Sequence, residues 1–246
     1  MTALLCGLVG VMLGMVGSGG SLLIVPIFVF VSGMSMSHAI ATSLPVVGSA
    51  SLVGVYQYYG KKLINTRLVV AFVFAGTATS FLGAALTKQF DDNVLLSLFG
   101  ILMSIIGVVL LVNKNKEDAL TVCRPNIWIS LLVGCGIGFL TGFLGVGGGF
   151  LIVPAISLLM RCSFQTAVGT SLTIIGINSW VAFLNHTGHM DQKDFRGILF
   201  YSLLASLGVI IGGRIGAKFS PWLLKKTLAG VIVCLGIYFI VRGFRF

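Results

Sequence analysis

The sequence predicts an all-α integral membrane protein made of two inverted repeats, each a glycine-broken hairpin of short helices plus three transmembrane helices. Three observations lead to this fold class: an apolar composition, a series of long apolar runs, and an internal repeat. Of the 246 residues, 57% are hydrophobic and only 9% are charged. Soluble domains average about 25% charged residues, so lipid rather than water is expected to surround most of this chain.

Long apolar runs recur along the chain at the length that a helix needs to cross a bilayer. The hydrocarbon core is about 30 Å thick, and a helical crossing takes about 20 apolar residues. Such runs lie at 40–59, 68–87, 94–112, 127–144, 166–185, 197–213 and 222–241. Shorter apolar pieces lie at 3–16, 21–32 and 149–160. The runs are continuous rather than alternating with period two, which favours helices over strands.

Basic residues predominate among the charges and give the chain a formal net charge of +10. They lie between the apolar runs, where they fix orientation and meet anionic headgroups. Membrane lipid is therefore an expected partner, and nucleic acid is not. The five cysteines are scattered and have no histidine partner at metal-binding spacing; four of them lie in or beside apolar segments and are expected to pack as small apolar residues. No metal and no cofactor is expected.

The chain repeats itself with an offset of 128 residues. The segment GSGGSLLIVP at 17–26 returns as GVGGGFLIVP at 145–154, and ATSLPVVGSAS at 41–51 returns as GTSLTIIGINS at 169–179. Between residues 17–60 and 145–188, 16 of the 44 aligned positions are identical. The sequence therefore predicts a first membrane repeat over 1–113, a polar cytoplasmic linker over 114–126, and a second membrane repeat over 127–246.

In each repeat, a glycine cluster separates two apolar pieces that are expected to form a hairpin returning to its own side. Three further crossings then give each repeat an odd number of net crossings, which inverts the second repeat relative to the first. With both termini outside, this topology leaves 11 of the 16 basic residues on the cytoplasmic side, as the positive-inside rule favours. A parallel repeat gives 10 against 6, so the charge count leaves that alternative open.

The glycine breaks indicate where a substrate could bind. Helix N-termini carry free backbone N–H groups and a partial positive charge, and they can hold an anion without a buried cation. Ser21 and Gly149 are expected to begin the second short helix of each repeat. The candidate substrate-binding residues are Gly17, Ser18, Gly19, Gly20, Ser21, Thr42, Ser43, Gly145, Gly147, Gly148, Gly149, Thr170, Ser171 and Asn178. The alternative for the serines and threonines is a structural bond, either to a preceding carbonyl or between helices.

Other residues narrow the possible functions. All six acids fall in predicted loops, so a buried carboxylate for proton or sodium transport is not expected. Gln57, close to the end of a run, suits interfacial capping as well as substrate contact. No nucleophile with a base is found, so the chain is not expected to be an enzyme. The series Gly134, Gly138, Gly142 and Gly208, Gly212, Gly216 predict close helix packing, either within the chain or between copies in a homo-oligomer.

The doubled motif G-x-G-G-[SG]-x-L-I-V-P, followed by [AG]-T-S-L, resembles the TauE/SafE sulfite-exporter family. The resemblance implies a multi-pass transporter of a bacterial or archaeal inner membrane, whose relatives move sulfite, sulfonates and related small anions. It also implies site regions at Gly17–Ser21, Thr42–Ser43, Gly145–Gly149 and Thr170–Ser171. The expected function is a secondary exporter of such an anion by alternating access, with the substrate at paired half-helix N-termini. An anion channel, or a membrane enzyme or scaffold subunit that transports nothing, is the alternative.

Overall fold

The computed structural model describes residues 1–17, 19–34, 36–87, 92–112, 126–144, 149–160, 162–184 and 192–243. Among these residues it contains ten α-helices and no strand. The helices are α1 Thr2–Val16, α2 Gly19–Phe30, α3 Met36–Tyr59, α4 Thr66–Thr87, α5 Asp92–Val112, α6 Ile127–Leu144, α7 Gly149–Leu158, α8 Phe164–Leu184, α9 Gln192–Gly216 and α10 Pro221–Gly243.

The ten helices coincide with the ten apolar segments predicted from the sequence, which confirms an all-α membrane protein. Four segments within α3, α4, α8 and α9 are long and apolar enough to cross a bilayer: His38–Tyr59, Thr66–Gly83, Phe164–Leu184 and Arg196–Gly216. Helix formation throughout follows from the solvent, because lipid offers no hydrogen-bond partner to an exposed backbone. Except for Asn126, the predicted linker lies outside the described residues.

The first short pair, α1 and α2, forms a hairpin. Gly17 ends α1 in the left-handed conformation with φ 80°, and its N–H donates to the Leu13 carbonyl over 2.7 Å. At the mouth of the hairpin, the Ser32 hydroxyl donates to Thr2 Oγ1 over 3.1 Å. The start of α1 therefore lies beside the end of α2, as predicted.

The second short pair, α6 and α7, closes in the same way. The Ser130 hydroxyl lies 3.7 Å from Met160 Sδ, which again joins the start of the first helix to the end of the second. Ser130 and Met160 are the positions 128 residues after Thr2 and Ser32. The two hairpins are thus equivalent in structure as well as in sequence.

Each hairpin packs against a long helix of the opposite half through its glycines. Gly14 on α1 leaves no room for a methyl group against the Val209 carbonyl on α9, and Gly142 on α6 is equally close to Ser80 on α4. Within both pairs, residue numbers rise together along the contact, so α1 is parallel to α9 and α6 is parallel to α4. The glycine series that the sequence singled out therefore pack helices within the chain.

Helices that occupy equivalent positions in the two halves also pack against each other. Gly48 of α3 touches Ser179 and Trp180 of α8, whereas Gly169 touches Tyr58, so these two helices are antiparallel. The pair α5 and α10 is antiparallel as well, because Gly100 lies against Gly236 and Gly107 lies against Val233. Buried residues of α2, α3, α7 and α8 form the centre of the molecule: Ile24, Phe28, Val46, Ala50, Val153, Ile156, Leu172 and Ile174.

One cysteine differs from the packing role expected for the four that lie in or beside apolar segments. Cys162, in the loop between α7 and α8, is disulfide-bonded. Cys6, Cys135 and Cys234 are free. Among the described residues, no group of His, Cys, Asp and Glu has the arrangement of a metal site.

Candidate functional site

A cavity of about 370 Å³ lies between α4, α6 and α8, next to the first turn of α7 and the first half of α3. Its walls are largely aliphatic and aromatic, with glycines on α4 and α6. The described lining residues are Ile40, Leu44, Phe72, Gly76, Thr77, Ser80, Phe81, Gly134, Ile137, Gly138, Thr141, Gly142, Gly149, Ile152, Ile174, Ile175, Asn178, Ser179, Val181 and Ala182. Mostly apolar walls with a few polar groups are typical of small-molecule sites.

The polar groups of the cavity are neutral, and no described lining residue is charged. Most of the hydroxyl protons are already used. Ser80 donates to the Thr77 carbonyl over 2.8 Å, and Thr141 donates to the Ile137 carbonyl over 2.7 Å. Thr77 donates to Asn178 Oδ1 over 3.4 Å. The side-chain NH₂ group of Asn178 has no protein partner among the described residues, so its two protons are available to a ligand.

The cavity also receives the beginning of α7, because Gly149 and Ile152 both line it. The first four N–H groups of an α-helix have no partner within the helix, and the N-terminus carries a partial positive charge. The amide NH₂ of Asn178 and the start of α7 therefore place hydrogen-bond donors and positive potential in one cavity. This arrangement suits a ligand that accepts hydrogen bonds and bears negative charge.

The first glycine cluster lies elsewhere. Gly17 packs against Val168, whose Cγ1 would be 2.5 Å from an added Cβ, and Gly20 packs against Val9 of its own hairpin. Val168 precedes Asn178 by ten residues on α8, which is about 15 Å along a helix axis. Gly17 and Gly20 do not line the cavity that Gly149 lines, and the shared site predicted from the sequence stays a prediction.

Several other predicted site residues lie outside the described part or carry no side-chain description. Ser18, Gly145, Gly147 and Gly148 belong to the first group. Gly19 and Ser21 lie in the first turn of α2. Their role in substrate binding stays a prediction.

The hydroxyl pairs Thr42–Ser43 and Thr170–Ser171 are fully buried and do not line the cavity. Ser43 donates to the Ile40 carbonyl over 2.8 Å, and Thr170 accepts from the backbone N–H of Asn65 over 3.1 Å. These bonds fit the structural alternative for Ser43 and Thr170. Ser171 Oγ has no hydrogen-bond partner among the described residues.

The sequence identified Asn178 as a site residue but missed the polar residues that share its cavity. These are Thr77, Ser80, Thr141 and Ser179. Two signals could have revealed some of them: the polar run TATS at 77–80 within an apolar segment, and Thr141 directly before Gly142 in a glycine series. Neither signal specifies the face of the helix on which a hydroxyl lies.

Fold and cavity together define a class: a polytopic α-helical membrane protein with a neutral, partly polar cavity among its helices. Residues 2–239 match the family described as sulfite exporter TauE/SafE. The chain belongs to this family; it is a multi-pass membrane transporter and not an enzyme.

Curated relatives align over nearly their whole length. A probable membrane transporter protein of Xylella fastidiosa is 31% identical, covering 96% of this chain and 93% of the relative. The probable membrane transporter protein YunE of Bacillus subtilis is 27% identical, covering 98% of this chain and 95% of the relative. The probable membrane transporter protein MJ0441 of Methanocaldococcus jannaschii is 24% identical, covering 95% of this chain and 92% of the relative. No solved structure matches the chain.

Proposed function

We propose that this protein carries a small anion, namely sulfite, a sulfonate or a related organosulfur anion, across the bacterial inner membrane. The observation that carries the proposal is the convergence of the Asn178 NH₂ group and the N-terminus of α7 on one cavity. Sulfur oxyanions accept hydrogen bonds through several oxygens, which such a set of donors can satisfy. The description of the family supports sulfite as the first substrate to test.

The charge properties of the cavity favour an anion over a cation. Cation sites in membranes usually use a carboxylate, and the described lining residues include none. The partial positive charge at the start of α7 would repel a cation. A lysine or arginine is not needed, because backbone and amide N–H groups bind an anion while still allowing its release.

Alternating access between two inverted halves is the proposed mechanism. The antiparallel packing of α3 with α8 and of α5 with α10 supports it, because equivalent helices of an inverted repeat run in opposite directions. Sequence had suggested two half-helix N-termini as the substrate site. The start of α7 alone is proposed as the helix terminus at the substrate site, because Gly17 packs against Val168 and does not line the cavity.

A carrier fits the packing better than a channel does. A channel needs a continuous path through the protein. The cavity lies between α4 and α6, but the equivalent helices of the other half, α9 and α1, have their backbones in direct contact. Gly14 touches the Val209 carbonyl, and Gly10 touches the Ala205 carbonyl, with no room for even a methyl group. Closed packing at one end and a cavity at the other is the arrangement expected of a carrier between two states.

Transport assays in proteoliposomes test the proposal. Vesicles containing the purified protein should take up labelled sulfite or ethanesulfonate faster than empty vesicles, and internal unlabelled anion should accelerate the uptake by counterflow. Uptake should saturate with anion concentration. Absence of flux for a panel of sulfur oxyanions and short carboxylates would contradict the proposal, and single-channel currents in a planar bilayer would favour the channel.

A further inference from the structure

The cavity has a counterpart in the other half of the chain. The contact of Gly142 with Ser80 beside the cavity is repeated by the contact of Gly14 with Val209. The walls of the cavity are formed by α4, α6 and α8. In the counterpart, α9 takes the place of α4, α1 takes the place of α6, and α3 takes the place of α8. Residue offsets are 128 for the first two and 129 for the last, so every cavity position has a defined equivalent.

The counterpart is closed. A Cβ on Gly54 of α3 would be 2.9 Å from Val209 Cγ1, so α3 lies directly on α9. Three of the five polar residues that line the cavity have apolar equivalents here: Val209 replaces Ser80, Leu13 replaces Thr141, and Ala50 replaces Asn178. Apolar surfaces of this kind pack together without water, which makes the interface a suitable seal.

The hydroxyl of Thr77 is kept in the counterpart as Ser206, which is half-buried on α9. Its partner is not kept, because Ala50 stands on α3 where α8 has Asn178. An alanine side chain neither donates nor accepts a hydrogen bond, so the Thr77–Asn178 bond of the cavity has no equivalent between Ser206 and Ala50. The counterpart therefore lacks the amide donors that the cavity offers to a ligand.

A second cavity hydroxyl is kept and fully buried. Ser51 is the equivalent of Ser179, which lines the cavity, yet Ser51 is inaccessible and its hydroxyl has no hydrogen-bond partner among the described residues. Buried polar groups are nearly always satisfied, so an exception needs a reason. Exposure of Ser51 to water or substrate in a second state would supply the missing partner.

Gln57 holds the interface together two turns further along α3. Its side-chain Nε2 donates to the Val209 carbonyl over 3.1 Å, which joins α3 to the interior of α9. Its Oε1 lies against Gly213, where no side chain would fit. Beside this contact is a cleft of about 30 Å³, lined also by Tyr58 and Gln165 and large enough for a water molecule.

We propose that the α3–α9 interface is the closed gate of the opposite membrane face, that Gln57 latches it, and that Ser51 contacts the anion or its water when it opens. The proposal rests on the transport function proposed above. Opening separates α3 from α9 and gives the counterpart cavity access to the face where Gln57 lies. The existing cavity closes as this happens, because α3 and α8 pack against each other at the centre.

Thiol labelling tests the gate without a known substrate. Single cysteines, Ser51→Cys or Ser179→Cys, are placed in a background with the native cysteines replaced, and a membrane-impermeant thiol reagent is added to one face at a time. We expect Ser179→Cys to react from one face only and Ser51→Cys to be protected. Adding Gln57→Ala should raise the labelling rate of Ser51→Cys about tenfold from the opposite face.

Gln165→Ala is the matched control, because Gln165 lines the same cleft but makes no hydrogen bond to α9 in the described structure. It should leave Ser51→Cys protected. Gly213→Ala displaces the Gln57 side chain by direct contact and should have the same effect on labelling as Gln57→Ala. It replaces Gln57→Ala in the test if Gln57→Ala folds poorly. Labelling of Ser51→Cys that is unaffected by both changes overturns the gate. Gated labelling with no anion flux would instead overturn the transport proposal and leave the gate standing.

Discussion

Thr77 and Asn178 join the two halves of the chain in the wall of the cavity, where the Thr77 hydroxyl donates to Asn178 Oδ1 over 3.4 Å. Thr77 belongs to α4 of the first repeat and Asn178 to α8 of the second. The bond turns the amide so that its oxygen is occupied and its NH₂ group is left for a ligand. A neutral pair of this kind offers donors without fixing a charge in the membrane.

Replacement of Asn178 should weaken anion binding, and the effect should be larger when the new side chain is negatively charged. Asn178→Ala removes two neutral donors worth about 0.5–1.5 kcal/mol each, so KM for sulfite or ethanesulfonate should rise by about 5–150-fold. Asn178→Asp keeps the shape but adds a negative charge and should reduce uptake further. Initial rates in proteoliposomes measure both. Wild-type uptake in the aspartate variant would remove Asn178 from the site.

Two threonines on α4 should separate binding from stability. Thr79 bonds to the Ala75 and Cys135 carbonyls over 2.8 and 2.9 Å and does not line the cavity, whereas Thr77 does. Thr79→Val should lower stability by about 1 kcal/mol with little change in KM. Thr77→Val should raise KM about threefold, because it frees the amide to turn. Thermal unfolding in detergent and uptake assays give the two readouts, and the reverse pattern would contradict this division.

The glycine contacts between the halves should tolerate no side chain. An added Cβ at Gly142 would collide with the Ser80 backbone, so Gly142→Ala should destabilise the protein by about 1–3 kcal/mol. Gly136, on the same helix, has nothing within 4 Å of that position, and Gly136→Ala should be neutral or stabilising. Melting temperatures of the two variants should therefore differ clearly. Equal values would show that α4 and α6 do not pack as described.

Charge distribution predicts both termini outside the cytoplasm, because 11 of 16 basic residues then lie inside. A C-terminal alkaline phosphatase fusion should be active, and a green fluorescent protein fusion should be dark. The opposite result would place both termini in the cytoplasm. Cys162 is disulfide-bonded in the structure yet lies on the predicted cytoplasmic side, where disulfides are rare, so alkylation in intact cells gives a second test of the topology. A reduced Cys162 would support termini outside the cytoplasm, and an oxidised Cys162 would support termini inside it.

Hydropathy and repetition predicted the helices well because both are properties of the chain itself. Every apolar run became a helix, since lipid leaves the backbone no alternative. The series from Gly134 to Gly142 predicted close packing, because only small residues let helix backbones touch. The hairpin mouths at Thr2–Ser32 and Ser130–Met160 follow from the same repeat.

The location of the site could not be predicted in this way. The glycine clusters that hold Gly17 and Gly149 are equivalent in the repeat, but which of them reaches the cavity depends on how the long helices pack against the hairpins, which no local pattern specifies. Hydropathy also does not distinguish Thr77, which faces the cavity, from Thr79, which faces α6. Repetition misled in a further respect, because three of the five polar residues of the cavity have apolar equivalents in its counterpart.

Each hairpin packs against a long helix of the other half of the chain, which has a consequence for synthesis. Gly14 meets Val209, which is 195 residues later in the chain. At about 5–20 residues per second, the nascent α1 waits on the order of 10–40 s in the bilayer before its partner has been made. During that interval, the glycine face of α1 that later contacts α9 is exposed to lipid. Neither half is complete alone, so maturation ends only when the last long helices have entered the membrane.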